Sequence, residues 1–175
     1  MAKIEVSIII TAEHKEKFIE RTINSCLNQN FKNFEIIISY TKLKNIGFLK
    51  KKFRSKNIIF YKIRKKKNNK TQDQLNKIYK SVIISRGKNI VLLDGDDEFT
   101  KNKLKKISPI LNSKNVVVLN SFLLNLKNKN LTKKVIQKEK SNFFKVIVNP
   151  WPKGICTSCI SLRKKSILNF YKTID

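Results

Sequence analysis

Lys88-Asn89-Ile90-Val91-Leu92-Leu93-Asp94-Gly95-Asp96-Asp97-Glu98-Phe99 is a short apolar run that ends in a cluster of acids, on a chain that is otherwise overwhelmingly basic. Ile90 to Leu93 predict a buried strand, continuous rather than alternating, as strands covered on both faces are. Asp94 and Asp96 follow two apart, where side chains of an extended backbone point to the same side. Gly95 between them lets the chain turn tightly or approach a ligand closely. Two hard carboxylates converging on one point suit Mg²⁺ or Mn²⁺ when substrate phosphates complete the shell. Four of the 12 acidic residues lie between positions 94 and 98, which solubility alone does not account for. The plainer alternative is a turn in which Asp96 or Asp97 caps a helix from about Thr100 to Leu111. An EF-hand loop is excluded, because the later oxygen ligands and the sixth-position Gly are missing.

Upstream, strands and helices alternate without interruption. Glu5 to Ile10 predicts a strand, followed by a helix from about Glu13–Glu16 to Asn28 whose apolar residues recur at three- and four-residue spacing. Phe34 to Ile38 is the second strand, Ile46 to Phe53 a short helix, and Asn57 to Ile63 the third strand. Lys62 to Lys70 reads as a solvated basic loop. Gln72 to Ser85 is an amphipathic helix that Arg86-Gly87 closes with the glycine a C-terminal cap favours. This β-α-β-α-β-α-β order predicts an α/β, Rossmann-like, mostly parallel sheet with helices on both faces and right-handed crossovers. Ligands of such sheets bind at the carboxyl ends of the strands, where Asp94 to Asp97 lie.

Beyond Pro109 the pattern changes. Asn115 to Asn120 predicts a strand that Ser121 to Leu126 continues or pairs with, and Val135-Ile136 another. Asn149-Pro150-Trp151-Pro152 forces an extended turn in which Trp151 is either a sugar-stacking platform or a core anchor. Ile160 to Leu162 reads as a strand and Lys164 to Tyr171 as a helix.

At 175 residues the chain suits one domain, and 41% apolar residues are enough for a core. No apolar run approaches the ~20 residues that span a bilayer. The net charge is +27, with Lys supplying 34 of the 39 basic residues. Lys, Asn and Ile are the residues of A/T-rich codons, so genome composition accounts for much of this excess. The remainder points to an anionic partner, either nucleic acid or a membrane surface where each nearby Lys is worth ~1 kcal/mol. Nucleic acid is disfavoured by the scarcity of Arg and by the acidic cluster at a strand end. Three cysteines without a secretory signal predict a reducing, cytoplasmic setting, and the basic charge adds peripheral contact with the inner face of the membrane. Cys156 and Cys159 read as reduced packing cysteines, since zinc needs two more ligands and a redox pair is expected to open a helix.

With this order in hand, the chain resembles the family 2 glycosyltransferases, whose nucleotide-binding fold is called GT-A. Val6-Ser7-Ile8-Ile9-Ile10 and Lys17 to Gln29 are similar to that family's first strand and helix, and Gln29 to Ile38 to its passage into the second strand. Asp94-Gly95-Asp96-Asp97 resembles its DxD motif, and Thr157 to Lys164 its acceptor-side strand. The resemblance implies one GT-A domain over 1–175, with a nucleotide-binding half at 4–104 and a partial acceptor-side half at 105–175. It implies sugar transfer, with inversion, from a nucleoside-diphosphate sugar to a polysaccharide or glycolipid acceptor of the cell envelope. Mn²⁺ or Mg²⁺ would bridge the diphosphate, with Asp96 holding the metal and Asp94 near it or the ribose.

Several positions depart from the family pattern. Thr11-Ala12-Glu13-His14 stands where a Pro-Thr-Tyr-Asn-like run is usual, so Thr11 and Glu13 take the nucleotide-side positions and Glu13 replaces an aromatic contact to the base. Ser39-Tyr40-Thr41-Lys42 replaces an Asp-Asp-Gly-Ser-like segment, with Tyr40 a candidate to stack on the base. His14, the single histidine, borders the nucleotide site or sits exposed at a helix start. The family's general base lies in a Glu-Asp-like motif that Ile174-Asp175 only begins to approach, so no base is assigned. Two alternatives stand beside the transferase: a catalytically deficient GT-A-like binding domain, and a basic nucleic-acid or membrane-surface module.

Overall fold

Strand β1 (Val6–Ala12) is buried along its whole length. It pairs in parallel with β2 (Phe34–Tyr40) on one side and β4 (Asn89–Asp94) on the other, and β3 (Ile58–Lys62) extends the sheet beyond β2. The computed structural model describes residues 3–54, 57–64, 70–113, 117–120, 122–125, 132–135 and 156–172. The Lys-rich run at 65–69, the turn containing Trp151, and Asp175 lie outside them.

The helices are α1 (Ile19–Leu27), α2 (Ile46–Lys52), α3 (Lys70–Ile84), α4 (Lys103–Ser113) and α5 (Lys164–Tyr171). Side chains alternate across β1, so Val6, Ile8 and Ile10 pack with Ile23, Leu49 and Leu104 of α1, α2 and α4. Ile9 faces the other way, toward Ile78 and Val82 of α3 and Ile167 of α5. Helices therefore cover both faces, which is why the strands read as continuous apolar runs.

Two short strands complete the sheet. β8 (Ile160–Arg163) runs antiparallel to β4 and carries β5 (Val118–Leu119) outside it, giving the order β3-β2-β1-β4-β8-β5. The architecture is the mostly parallel α/β sheet expected. One pairing is corrected: β6 (Phe122–Asn125) neither continues β5 nor pairs with it, but forms a separate antiparallel ribbon with β7 (Thr132–Val135).

Two local readings also change. α1 starts later than its apolar periodicity suggests because His14 takes a left-handed backbone (φ 52°) and Lys15 C=O accepts from the Phe18 and Ile19 N–H groups. Residues 13–18 thus form a loop over the strand ends instead of a first helical turn. α4 begins at Lys103, so neither Asp96 nor Asp97 caps it, and the helix runs on through Pro109.

Beneath α3 a buried carboxylate pairs with a half-exposed arginine. The Glu35 side chain is fully buried, and it accepts from the Ser7 hydroxyl (2.7 Å), the Arg86 N–H (2.6 Å) and Arg86 Nε (2.7 Å). Burial works to raise this carboxyl's pKa, but those donors outweigh it and hold it below the ordinary value. Arg86→Ala leaves the charge buried with two donors instead of three. It is expected to cost about 3 kcal/mol in urea unfolding at neutral pH. Because the folded pKa is depressed, this stability is present above the unfolded value and is lost as pH falls through the folded one.

Candidate functional site

The chain crosses from β1 outward through β2 and β3, then returns to place β4 on the opposite side of β1. The sheet thus reverses direction between β1 and β4, where open α/β sheets leave a crevice at their carboxyl ends. A cleft of about 890 Å³ opens there. Its walls are the end of β1 and the loop after it (Thr11, Glu13, Lys15), α3 (Asp73, Gln74, Lys77), the acids 94, 96 and 97, and Cys156-Thr157.

Asp94 is the floor of this cleft. It is opposite Thr11 in the β1–β4 register, and its Oδ1 accepts from Thr11 Oγ1 (3.1 Å) and Gln74 Nε2 (2.9 Å). Its N–H donates to Ser158 Oγ (2.9 Å), and the Ser158 hydroxyl donates to Asp97 Oδ2 (2.6 Å). Gly95 lets the chain bend back onto β1: its N–H donates to Thr11 C=O (3.0 Å), and a Cβ there would lie 3.2–3.3 Å from Thr11 and Ala12 atoms. Asp96 points elsewhere, to a half-exposed ion pair with Lys15 (2.5 Å).

Burial pushes the Asp94 carboxyl up to about 6, and the Asp97 and Asp96 charges add to the shift against the Thr11 hydrogen bond. An acid whose folded pKa is raised favours the fold when protonated. That contribution is complete below the unfolded pKa and lost as pH rises through about 6. Asp94→Asn keeps an oxygen for Thr11 and Gln74 while removing the charge. It is expected to melt above wild type at about pH 7.5, with the gap closing near pH 4, in paired thermal scans.

Two lysines frame the acids. Lys77 is buried in the cleft wall, with Nζ 2.5 Å from Glu13 Oε2 and 2.6 Å from Asp73 Oδ2. Lys103 donates from Nζ to Ser158 C=O (2.5 Å), and burial brings its pKa down to about 8.

Among the described residues, no three His, Cys, Asp or Glu side chains stand as a ready-made metal cage. A cage is not what Mg²⁺ or Mn²⁺ needs beside a diphosphate: one or two carboxylates suffice, with phosphate and water oxygens completing the shell. Asp94, Asp96 and Asp97 supply hard oxygens on one cleft. The donor set therefore fits such a cation, provided that Lys15 releases Asp96.

Thr11, Glu13, Asp94 and Asp96 gather on one cleft, as does the exposed His14. Tyr40 does not: it is 5% exposed, packed in the core with Leu43 and Leu49, and offers no open ring face for stacking. Lys15, Gln74, Lys77 and Ser158 carry no motif and become site residues only through the fold. A second hollow of about 850 Å³, between α1 and residues 98–101, holds the Arg21–Glu98 ion pair and none of these groups.

The sequence model of Glycosyl transferase family 2 matches residues 7–171. No curated protein sequence matches the chain. Among solved structures, S. aureus TarS 1–349 in complex with UDP-GlcNAc aligns with a TM-score of 0.68 at 17% identity, covering 95% of this chain and 47% of that one. TarS 1–349 with UDP gives 0.68 at 16% identity, over 95% and 49%. The mannosyltransferase PcManGT from Pyrobaculum calidifontis, with GDP-Man and Mn²⁺, gives 0.55 at 11% identity, over 66% and 34%. At these identities the likeness is one of fold, and the chain spans about half the length of the TarS 1–349 chains it matches.

Proposed function

The chain belongs to glycosyl transferase family 2, and from that premise we propose that it transfers a sugar from a nucleoside-diphosphate sugar to a glycan or glycolipid acceptor, with a divalent cation at Asp96 and Asp94. The observation that carries this reading is the meeting of Asp94 with Thr11 at the point where the sheet reverses, beside Asp96. The ligands of the structural neighbours, UDP-GlcNAc in TarS 1–349 and GDP-Man with Mn²⁺ in PcManGT, support the donor class and the cation.

In this reading Asp96 and Asp94 would hold the cation, whose charge would offset that gathering on the departing diphosphate. The protein's part is positional. Thr11 and Gln74 orient the Asp94 carboxylate, Ser158 ties the Asp94 backbone to Asp97, and Lys15 neutralises Asp96 until the donor enters. The Lys77–Glu13–Asp73 cluster gives a stiff charged wall in place of an aromatic one. Calorimetric titration with UDP, GDP, CDP and dTDP, each with and without Mn²⁺, tests the reading. Binding of one nucleotide that requires the metal is expected; no binding to any would refute it.

The same proposal places the domain in a reducing cytoplasm and on an anionic membrane surface. Residues 36–72 contain 13 Lys and Arg and no acid. On this edge Phe48 is 57% exposed among exposed Lys44, Lys50 and Lys51, the apolar-plus-cationic pairing that interfacial binding uses. Among the described residues no helix is long and apolar enough to cross a membrane. Co-sedimentation with phosphatidylglycerol vesicles is expected and with phosphatidylcholine is not. Phe48→Glu should weaken it about tenfold or more, as a lost aromatic and a repelled charge together exceed 1.4 kcal/mol.

A further inference from the structure

Cys156 and Cys159 have no part in the transfer described above, yet they are built into the wall of the same cleft. Cys156 lines it and stands directly before the 3₁₀ turn Thr157–Cys159. Cys159 is 2% exposed behind it. Their Sγ atoms are 3.0 Å apart, and the Cys159 N–H donates to Cys156 C=O (3.0 Å), which holds the two residues in register. A disulfide bond of about 2.05 Å is thus about 1 Å of movement away. All three cysteines are free, and Cys26 is buried in the core remote from solvent.

The chemical setting distinguishes the two thiols: the hydrogen bond to Cys156 and burial push Cys159 up, whereas Cys156 is the activated one. The Lys103 ammonium is held against this turn by Ser158 C=O and acts electrostatically on both thiols. A hydrogen bond from Cys159 holds the Cys156 thiol below its ordinary range, as in reactive thiols. Between the two cysteines sits Ser158, whose hydroxyl joins the Asp94 N–H to the Asp97 carboxylate.

We propose that Cys156 and Cys159 form a reversible dithiol–disulfide pair, oxidised by low-molecular-weight disulfides, and that oxidation draws Ser158 away from Asp94 and Asp97. The Cys156 thiolate attacks one sulfur of the small disulfide, forming a mixed disulfide and releasing one thiolate. The thiolate just released takes up the Cys159 proton, and Cys159 attacks Cys156 Sγ, forming the internal bond and expelling the second small thiolate, which takes up a proton from solvent. Two protein thiols are oxidised and one small disulfide is reduced to two thiols. The inference stands whether or not the domain transfers sugar, and its test uses no nucleotide.

The full chain is equilibrated against graded mixtures of oxidised and reduced glutathione, then alkylated and mapped by mass spectrometry. The expected result is an internal 156–159 disulfide that added reductant fully reverses. Cys159→Ser should instead hold glutathione at Cys156, and Cys156→Ser should remain unmodified, while Cys26→Ala leaves the reaction as in wild type. Hydrogen exchange of the Asp94 amide, which reports its bond to Ser158, is expected to quicken about tenfold in the oxidised form. No reaction, or a mixed disulfide that persists in the wild-type chain, would overturn the pairing. A disulfide that leaves Asp94 exchange unchanged would overturn its coupling to the acidic loop.

Discussion

Asp96→Asn is expected to lower metal-dependent sugar transfer, or donor hydrolysis where no acceptor is supplied, by about two to three orders of magnitude. Asn keeps the shape and one oxygen but loses the charge that a hard divalent cation selects. Asp96 is the acid whose carboxylate is committed to a single, solvent-accessible partner, Lys15, whereas Asp94 is engaged by Thr11 and Gln74 and Asp97 by Ser158. Exposed ion pairs of this kind are worth at most about 1 kcal/mol, so a cation displaces Lys15 at little cost. Lys15→Ala supplies the opposing arm: apparent Mn²⁺ affinity, followed by calorimetry, should rise a few-fold because the competing ammonium is gone. Full activity of Asp96→Asn would remove that residue from the chemistry. Equal loss in both variants would mean that the Lys15–Asp96 pair is structural.

The second large effect is expected at Gly87. Its N–H donates to Ser7 Oγ (2.9 Å), and a Cβ there would lie 2.5 Å from Ser7 N, 2.7 Å from Ser7 Oγ and 2.7 Å from Val6 C. Ser7 N and Val6 C are backbone atoms at the start of β1, a strand buried along its whole length, and cannot swing away. Gly87→Ala should therefore cost about 3 kcal/mol, the upper part of the range for overpacked cores. The check is the urea midpoint, with Gly47→Ala as the control because a Cβ at Gly47 meets nothing within 4 Å. A midpoint for Gly87→Ala within error of wild type would show that β1 can move.

Gly87 also marks where reading along the chain reaches its limit. Its place after an amphipathic helix predicts a C-terminal cap, a role that depends on a left-handed backbone. The structure gives it another purpose: α3 ends at Ile84, and Gly87 is needed because β1 passes too close for a side chain. Spacing along one helix carries information about that helix. It carries none about a strand that lies 80 residues earlier in the chain and beside it in space.

The alternation of strands and helices, the parallel sheet and the placing of Asp94 and Asp96 at a strand end were legible in the sequence. Each depends on periodicity or chain order, which local apolar patterning and right-handed crossovers turn into topology. What occupies the cleft with those acids was decided only by the tertiary structure. Gln74 and Lys77 come from α3, Ser158 and Cys156 from the turn before β8, and Lys15 from a loop that apolar periodicity assigns to a helix. Tyr40 shows the converse, since a strand-end aromatic is turned into the core by the two-residue alternation of β2. Burial, and with it the charge state of Asp94, arises from packing among segments up to 83 residues apart, as in the bond from Thr11 to Asp94. Local sequence sets the direction of each element, and only the closing of the sheet sets which polar groups must share one low-dielectric space.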